Sequence, residues 1–144
     1  MRPQSIIRFD QLYFATLALG FVGLAINYET SIQQLEADAT AARLGGSTFV
    51  IGAYAISTAI ALLLWYFVSR RASNAARWIV TVMTGFGLVT LPFSFMMASV
   101  PPASLAVAVI SAAVQAAMLW FLFRPDANAW FKQGTQGMDP DVFE

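Results

Sequence analysis

Hydrophobic positions along this chain gather into four nearly unbroken runs, and every charged residue except Asp10 lies outside them. The runs cover residues 9–28, 48–68, 78–98 and 104–123. At ~1.5 Å of rise per residue, ~20 helical residues cross the ~30 Å hydrocarbon core of a bilayer. Each run therefore predicts a transmembrane helix. The expected fold is all-α: an integral membrane four-helix bundle in up-down antiparallel order, forming a single domain over 1–132.

The intervals sharpen this picture. Ser69-Arg70-Arg71-Ala72-Ser73-Asn74-Ala75-Ala76-Arg77 is a compact basic bridge between the second and third runs. Trp65, Tyr66 and Phe67 stand just before it, as an aromatic belt at a membrane interface would. Glu29 to Ser47 is the longest polar interval. Thr30-Ser31-Ile32-Gln33 resembles a capping box and Gly45-Gly46 a helix stop, so a short extracytoplasmic helix is expected there. Ser99 to Ala103 is an uncharged turn that makes the last two spans an antiparallel hairpin. After Arg124, Pro125 suits the first turn of a new helix, an interfacial foot that returns Trp130 and Phe131 to the headgroup layer. Residues 133–144 hold two glycines, Pro140 and three acids, and are expected to form a mobile acidic tail.

Small residues predict where helices approach. Gly20 and Gly23 in the first run, and Gly52, Ala53, Ala55, Ala59 and Ala61 in the second, suit close packing where lipid supplies no hydrophobic drive. Gly85, Gly87 and Pro92 in the third predict a bend. Proline there blocks the hydrogen bond to the Leu88 carbonyl, and Thr84 and Thr90 are candidates to satisfy the local backbone.

Charge turns the pattern into a topology. Of 144 residues, 58% are hydrophobic and 11% charged, with eight basic residues balanced by eight acidic ones. A soluble domain carries roughly 25% charged residues. Seven of the eight basic residues, all but Arg43, lie in the N-terminus, the middle bridge and the C-terminal foot. The positive-inside rule then puts both termini in the cytoplasm. A signal peptide is the rival reading of the first run, with Gly23-Leu24-Ala25 as a cleavage site, but Asp10 and Gln11 directly after Arg8 argue against it. Zero net charge argues against a nucleic-acid partner.

Candidate chemistry is sparse. The chain has no cysteine and no histidine, which removes disulfides, thiolate nucleophiles, imidazole switches and the usual zinc and haem ligands. No phosphate-binding loop or nucleophile elbow is present. No cofactor and no enzymatic activity are expected. Asp10, at the border of the first run, is expected to pair with Arg8 or with a basic neighbour such as Arg77. Asn27 and Tyr28, with Glu29, form a polar cluster at the far end of that run, and Tyr54 in the second run is placed to join them around a small pocket. Gln115, an amide in the middle of the fourth run, is expected to bond another helix. Asn27, Tyr28, Tyr54, Pro92 and Gln115 are the candidate ligand or helix-contact positions.

Small multidrug transporters share the four-span length, but the acid inside their first helix has no counterpart here. The segment Arg124-Pro125-Asp126-Ala127-Asn128-Ala129-Trp130-Phe131 resembles the endings of small uncharacterised bacterial four-span membrane proteins. That resemblance implies a bacterial inner (plasma) membrane location and no activity. The expected role is a non-catalytic structural or accessory subunit in the lipid bilayer, with a homo-oligomer or a larger membrane complex as its setting. The alternative is an oligomeric small-molecule permease or membrane sensor.

Overall fold

A computed structural model describes residues 2–37, 47–97 and 101–136. Among these residues the chain forms five helices: α1 Gln4–Ala37, α2 Ser47–Ser69, α3 Asn74–Met97, α4 Pro102–Leu122 and α5 Pro125–Gln136. The first four are long and apolar enough to cross a membrane. By length and composition they suggest a multi-pass membrane protein.

The first helix corrects the sequence reading. It does not end at Tyr28; it runs unbroken through Thr30-Ser31-Ile32-Gln33 to Ala37, so this stretch caps no new helix. Backbone hydrogen bonds in a helix are local, and they persist when the surrounding solvent changes from lipid to water. The rest of the expected extracytoplasmic helix, with Gly45-Gly46, lies outside the described residues; of the expected tail 133–144, residues 133–136 instead continue α5 and the remainder lies outside the described residues.

The basic bridge is a tight corner. The amide of Arg70 donates to the Tyr66 carbonyl at 2.8 Å and that of Ser73 to the Phe67 carbonyl at 3.0 Å, which together close α2. Ala72 makes the reversal with φ +48°, a left-handed conformation that costs an L-residue roughly 1–2 kcal/mol. Its methyl group is buried in the core, which offsets part of that cost. Ser73 then opens α3, its hydroxyl accepting from the Ala76 amide. At the next corner Pro102 occupies the first turn of α4, where its missing donor costs nothing.

Neighbouring helices alternate in direction. Residue 5 of α1 meets residue 126 just past the end of α4, while residue 27 meets residue 104 at the start of α4. Helices α1 and α4 run antiparallel in extensive contact; α2 touches α1 and α3, and α3 touches α4, over shorter stretches. The core is concentrated at one end. Ile6, Phe9, Tyr13, Val68, Val80, Met118, Leu122 and Phe131 form one buried cluster at the end carrying Arg2, Arg8, Arg70, Arg71, Arg77 and Arg124. Among the described residues Val50 is the one buried hydrophobic outside it.

Outside this cluster large apolar side chains face outward, with Phe86 71% and Met96 84% exposed. In water such a surface would be a contiguous apolar patch far larger than a soluble monomer shows. In a bilayer it is the lipid-facing surface.

The glycines depart from expectation. A Cβ added at Gly23 would lie 3.9 Å from Val107 of α4, so this glycine does serve the α1–α4 approach. Gly20, Gly52, Gly85 and Gly87 have nothing within 4 Å of that position. Their close-packing capacity is unused within the chain.

Candidate functional site

Most of the side-chain hydrogen bonds between elements lie at the basic end, and Asp10 is their centre. Trp65 and Ser69 are four residues apart on α2 and therefore share a face. The indole Nε1 of Trp65 donates to Asp10 Oδ1 at 2.8 Å, and the Ser69 hydroxyl to Oδ2 at 2.9 Å. Arg2 adds an ion pair to Oδ2 at 3.0 Å and a hydrogen bond to Ser69 Oγ at 3.2 Å. The partner of Asp10 is therefore Arg2, neither Arg8 nor Arg77. This carboxylate accepts from three donors, two on α2 and one on the segment before α1. It fastens α1 to α2. One turn further along α1, the Tyr13 hydroxyl donates to the Ala61 carbonyl at 2.8 Å and continues the seam.

Helix α5 closes the same end. Asp126 in its first turn accepts the Ser5 hydroxyl at 2.7 Å and the Ser5 amide at 3.1 Å. That amide is one of the first-turn donors that α1 cannot satisfy internally, so Asp126 acts as an N-cap supplied from another helix. The Ser5 hydroxyl is the main reason the Asp126 carboxyl is held below its ordinary value of 3.8.

Arg77 meets α5 from α3. It is buried, with Nη2 donating to Asn128 Oδ1 at 2.6 Å. Its guanidinium carbon lies 4.1 Å from the Phe123 ring centroid and 4.9 Å from that of Phe131. Two aromatic faces and an amide thus hold a buried cation with no carboxylate among them. The apolar face of the expected foot packs on the bundle. Phe131 and Ala127 are buried in the core and Trp130 packs against it, so these residues cover the end of the bundle. The sequence shows that α5 has an apolar face; it does not show whether lipid or protein meets that face.

Midway along the bundle a partly open cavity of about 350 Å³ lies between the four long helices. Its walls are mainly apolar, from Leu17, Ile60, Leu64, Met83 and Met118, with polar groups from Thr16, Ser57, Thr84 and Gln115. The volume is within the range of small-molecule sites, and a few polar groups among apolar walls is their usual form. Gln115 faces this space from α4.

The other candidate positions are dispersed. Asn27 accepts the Ser104 hydroxyl at Oδ1, 2.8 Å away, and donates to the Gly23 carbonyl at 2.8 Å. It joins α1 to α4 at the end opposite the arginines. Tyr28 is half-buried on the same helix. Tyr54 lines an adjoining groove of about 230 Å³ between α1 and α2, with Thr16, Gly20, Ser57 and Thr58; neither Asn27 nor Tyr28 is part of it. Pro92 is exposed on α3, which continues through it unbroken. The Thr90 hydroxyl turns back to the Phe86 and Gly87 carbonyls, a turn before Pro92.

Arg2, Ser5, Tyr13, Ser69, Ser104 and Asn128 are among the interacting residues that sequence reasoning passed over. Asp10 at a span border, facing an interval with Trp65 and Ser69 one turn apart, was the available signal for Ser69. Among the described residues no cluster of histidine, cysteine or acidic side chains is arranged to hold a metal ion. No protein-family model matches the chain, and comparison with curated proteins and with solved structures finds no match among either.

Proposed function

We propose that this chain is a non-catalytic structural or accessory subunit of the bacterial plasma membrane, with both termini cytoplasmic, packing with itself or within a larger membrane complex. The observation that carries the reading is the contrast between the two ends of the bundle. The basic end is knitted by side-chain bonds among α1, α2, α3 and α5 and holds nearly all the buried side chains. Away from it, Gly20, Gly52, Gly85 and Gly87 leave backbone with no atom of the described residues in contact range of an added Cβ. In lipid, such open backbone is where another helix gains the most van der Waals contact. Gathering the arginines at one end supports cytoplasmic placement of that end.

Affinity purification of a C-terminally tagged chain in mild detergent, with mass spectrometry, tests the reading. Because the chain lacks cysteine, a single Gly52→Cys variant adds oxidative crosslinking in native membranes. A stoichiometric partner or a crosslinked dimer is the expected result. A monomer with neither overturns the packing role.

The cavity favours a second reading, a permease or sensor for a small, mostly apolar molecule, with Gln115 as the polar contact. Flux into proteoliposomes that is lost in Gln115→Leu would establish it. Flux unaffected by that change would remove the cavity from the account.

A further inference from the structure

We infer that the basic end carries a seat for one anionic phospholipid, its phosphate held between Arg8 and Arg124 and an acyl chain laid along α4. The assignment depends on the chain lying in a bilayer and does not depend on the packing role proposed above.

The seat begins with two arginines directed to one ring. The guanidinium carbon of Arg8 lies 5.7 Å from the Phe121 ring centroid and that of Arg124 lies 6.0 Å from it. Among the described residues neither is in an ion pair, in contrast to Arg2, which Asp10 neutralises. Holding two like charges at one ring is unfavourable unless an anion joins them, and guanidinium forks bind phosphate oxygens bidentately.

Both arginines line a cleft of about 440 Å³ together with Gln4, Ser5 and Asp126. Asp126 is the one acid there, and its two oxygens are already engaged by the Ser5 hydroxyl and amide. Two guanidinium charges against one carboxylate leave the cleft with one positive charge, the complement of a single phosphodiester. Gln4 adds an exposed amide able to donate to headgroup oxygens.

What distinguishes a lipid from a soluble phosphate is the adjoining space. Arg124 and Pro125 also border a second hollow of about 640 Å³, whose other walls are Leu119, Trp120 and Phe123. Trp120 is 72% exposed and faces outward from α4. The charged cleft and the apolar hollow therefore share Arg124 and Pro125 as a common wall at the end of α4, the level at which a phosphate continues into its acyl chains. A tryptophan there is the usual interfacial side chain.

Native mass spectrometry of the purified full chain, titrated with phosphatidylglycerol, phosphatidylcholine or glycerol 3-phosphate, tests the seat. One phosphatidylglycerol should be retained per chain under activation that strips phosphatidylcholine. Arg8→Gln and Arg124→Gln should each weaken retention about fivefold, the effect of one basic residue at an anionic surface. Arg71→Gln, which removes the same charge from the exposed corner of the same end, should leave it unchanged. Trp120→Ala should weaken phosphatidylglycerol without altering charge.

Equal retention of phosphatidylglycerol and phosphatidylcholine overturns the seat without requiring any variant to fold. So does an equal effect of Arg71→Gln, which would mean diffuse surface charge. Glycerol 3-phosphate binding as tightly as the lipid would overturn the acyl part of the assignment.

Discussion

At the scale of single residues, the most consequential side chain is Asp10. A lone carboxylate at a span border is costly unless satisfied, and here Arg2, Ser69 and Trp65 all donate to it. Asp10→Ala would leave three donors without their acceptor. The expected loss is about 2 kcal/mol, the scale of a hydrogen bond to a charged group. Trp65→Phe keeps the ring packed against Phe14 and removes one donor, so about 1 kcal/mol is expected. Unfolding in mixed micelles of mild detergent and dodecyl sulfate measures both. Equal midpoints for Asp10→Ala and wild type would mean that the network is incidental. Asp126 offers a test by pH. Its folded-state value is depressed, so its contribution to docking α5 is complete above the ordinary 3.8 and is lost as pH falls through the lower folded value. Ser5→Ala removes the principal cause of the depression. The Asp126 carboxyl, followed by carbon-detected NMR, should titrate below 3.8 in wild type and closer to 3.8 in the variant. Indistinguishable titrations would show that Ser5 does not hold this group.

At the scale of elements, the sequence disclosed the helices well and their ends and faces less well. The four spans were legible because hydropathy over ~20 residues reports directly on the solvent a helix requires. The extension of α1 through Glu29 was not, because hydropathy records where a helix leaves lipid and carries no information on where its backbone bonds stop. Phe131 illustrates the second limit. Periodicity puts it on the apolar face of α5, but only the meeting of that face with Arg77 and Phe123 decides that protein covers it. The Arg2–Asp10–Ser69 arrangement joins residues up to 67 positions apart, and a single sequence has no local signature for such a meeting. Helix α5 also invites a direct test. Asn128 supplies the one hydrogen bond that the buried Arg77 guanidinium makes to α5, and a buried cation that loses its partner is costly. Asn128→Ala should therefore loosen the helix, with amide hydrogen exchange over 125–136 rising at least tenfold while α1 and α4 stay protected. Uniform change across all helices, or none, would show that α5 is held by its apolar face alone.

At the scale of the whole molecule, the bundle is tight at one end and hollow at its middle, and the two facts have one origin. The seams of Asp10 and Tyr13 draw α2 against α1 near the arginines, and α5 draws α3 against α4 at the same level. Beyond Ala61 none of these bonds recurs, and the cavity begins there. Ser57 and Gln115 face it from opposite sides of the bundle, on α2 and α4. If the space is a packing gap, extra methylene groups should restore lost dispersion contacts. Ser57→Leu would then raise stability by about 1 kcal/mol, by analogy with the cost of opening a cavity of comparable chemistry. Gln115→Leu would be similarly tolerated, because an amide with no essential partner loses little. If the space is kept open for a molecule, both variants should still fold, yet the stabilisation that this molecule gives the wild-type chain should vanish. Thermal unfolding of the two variants before and after stringent delipidation separates these cases. Stabilised variants with wild-type response to delipidation would mark the cavity as a gap. A wild-type midpoint that drops on delipidation while both variants hold theirs would mark it as occupied, and would make the small-molecule role the one to pursue.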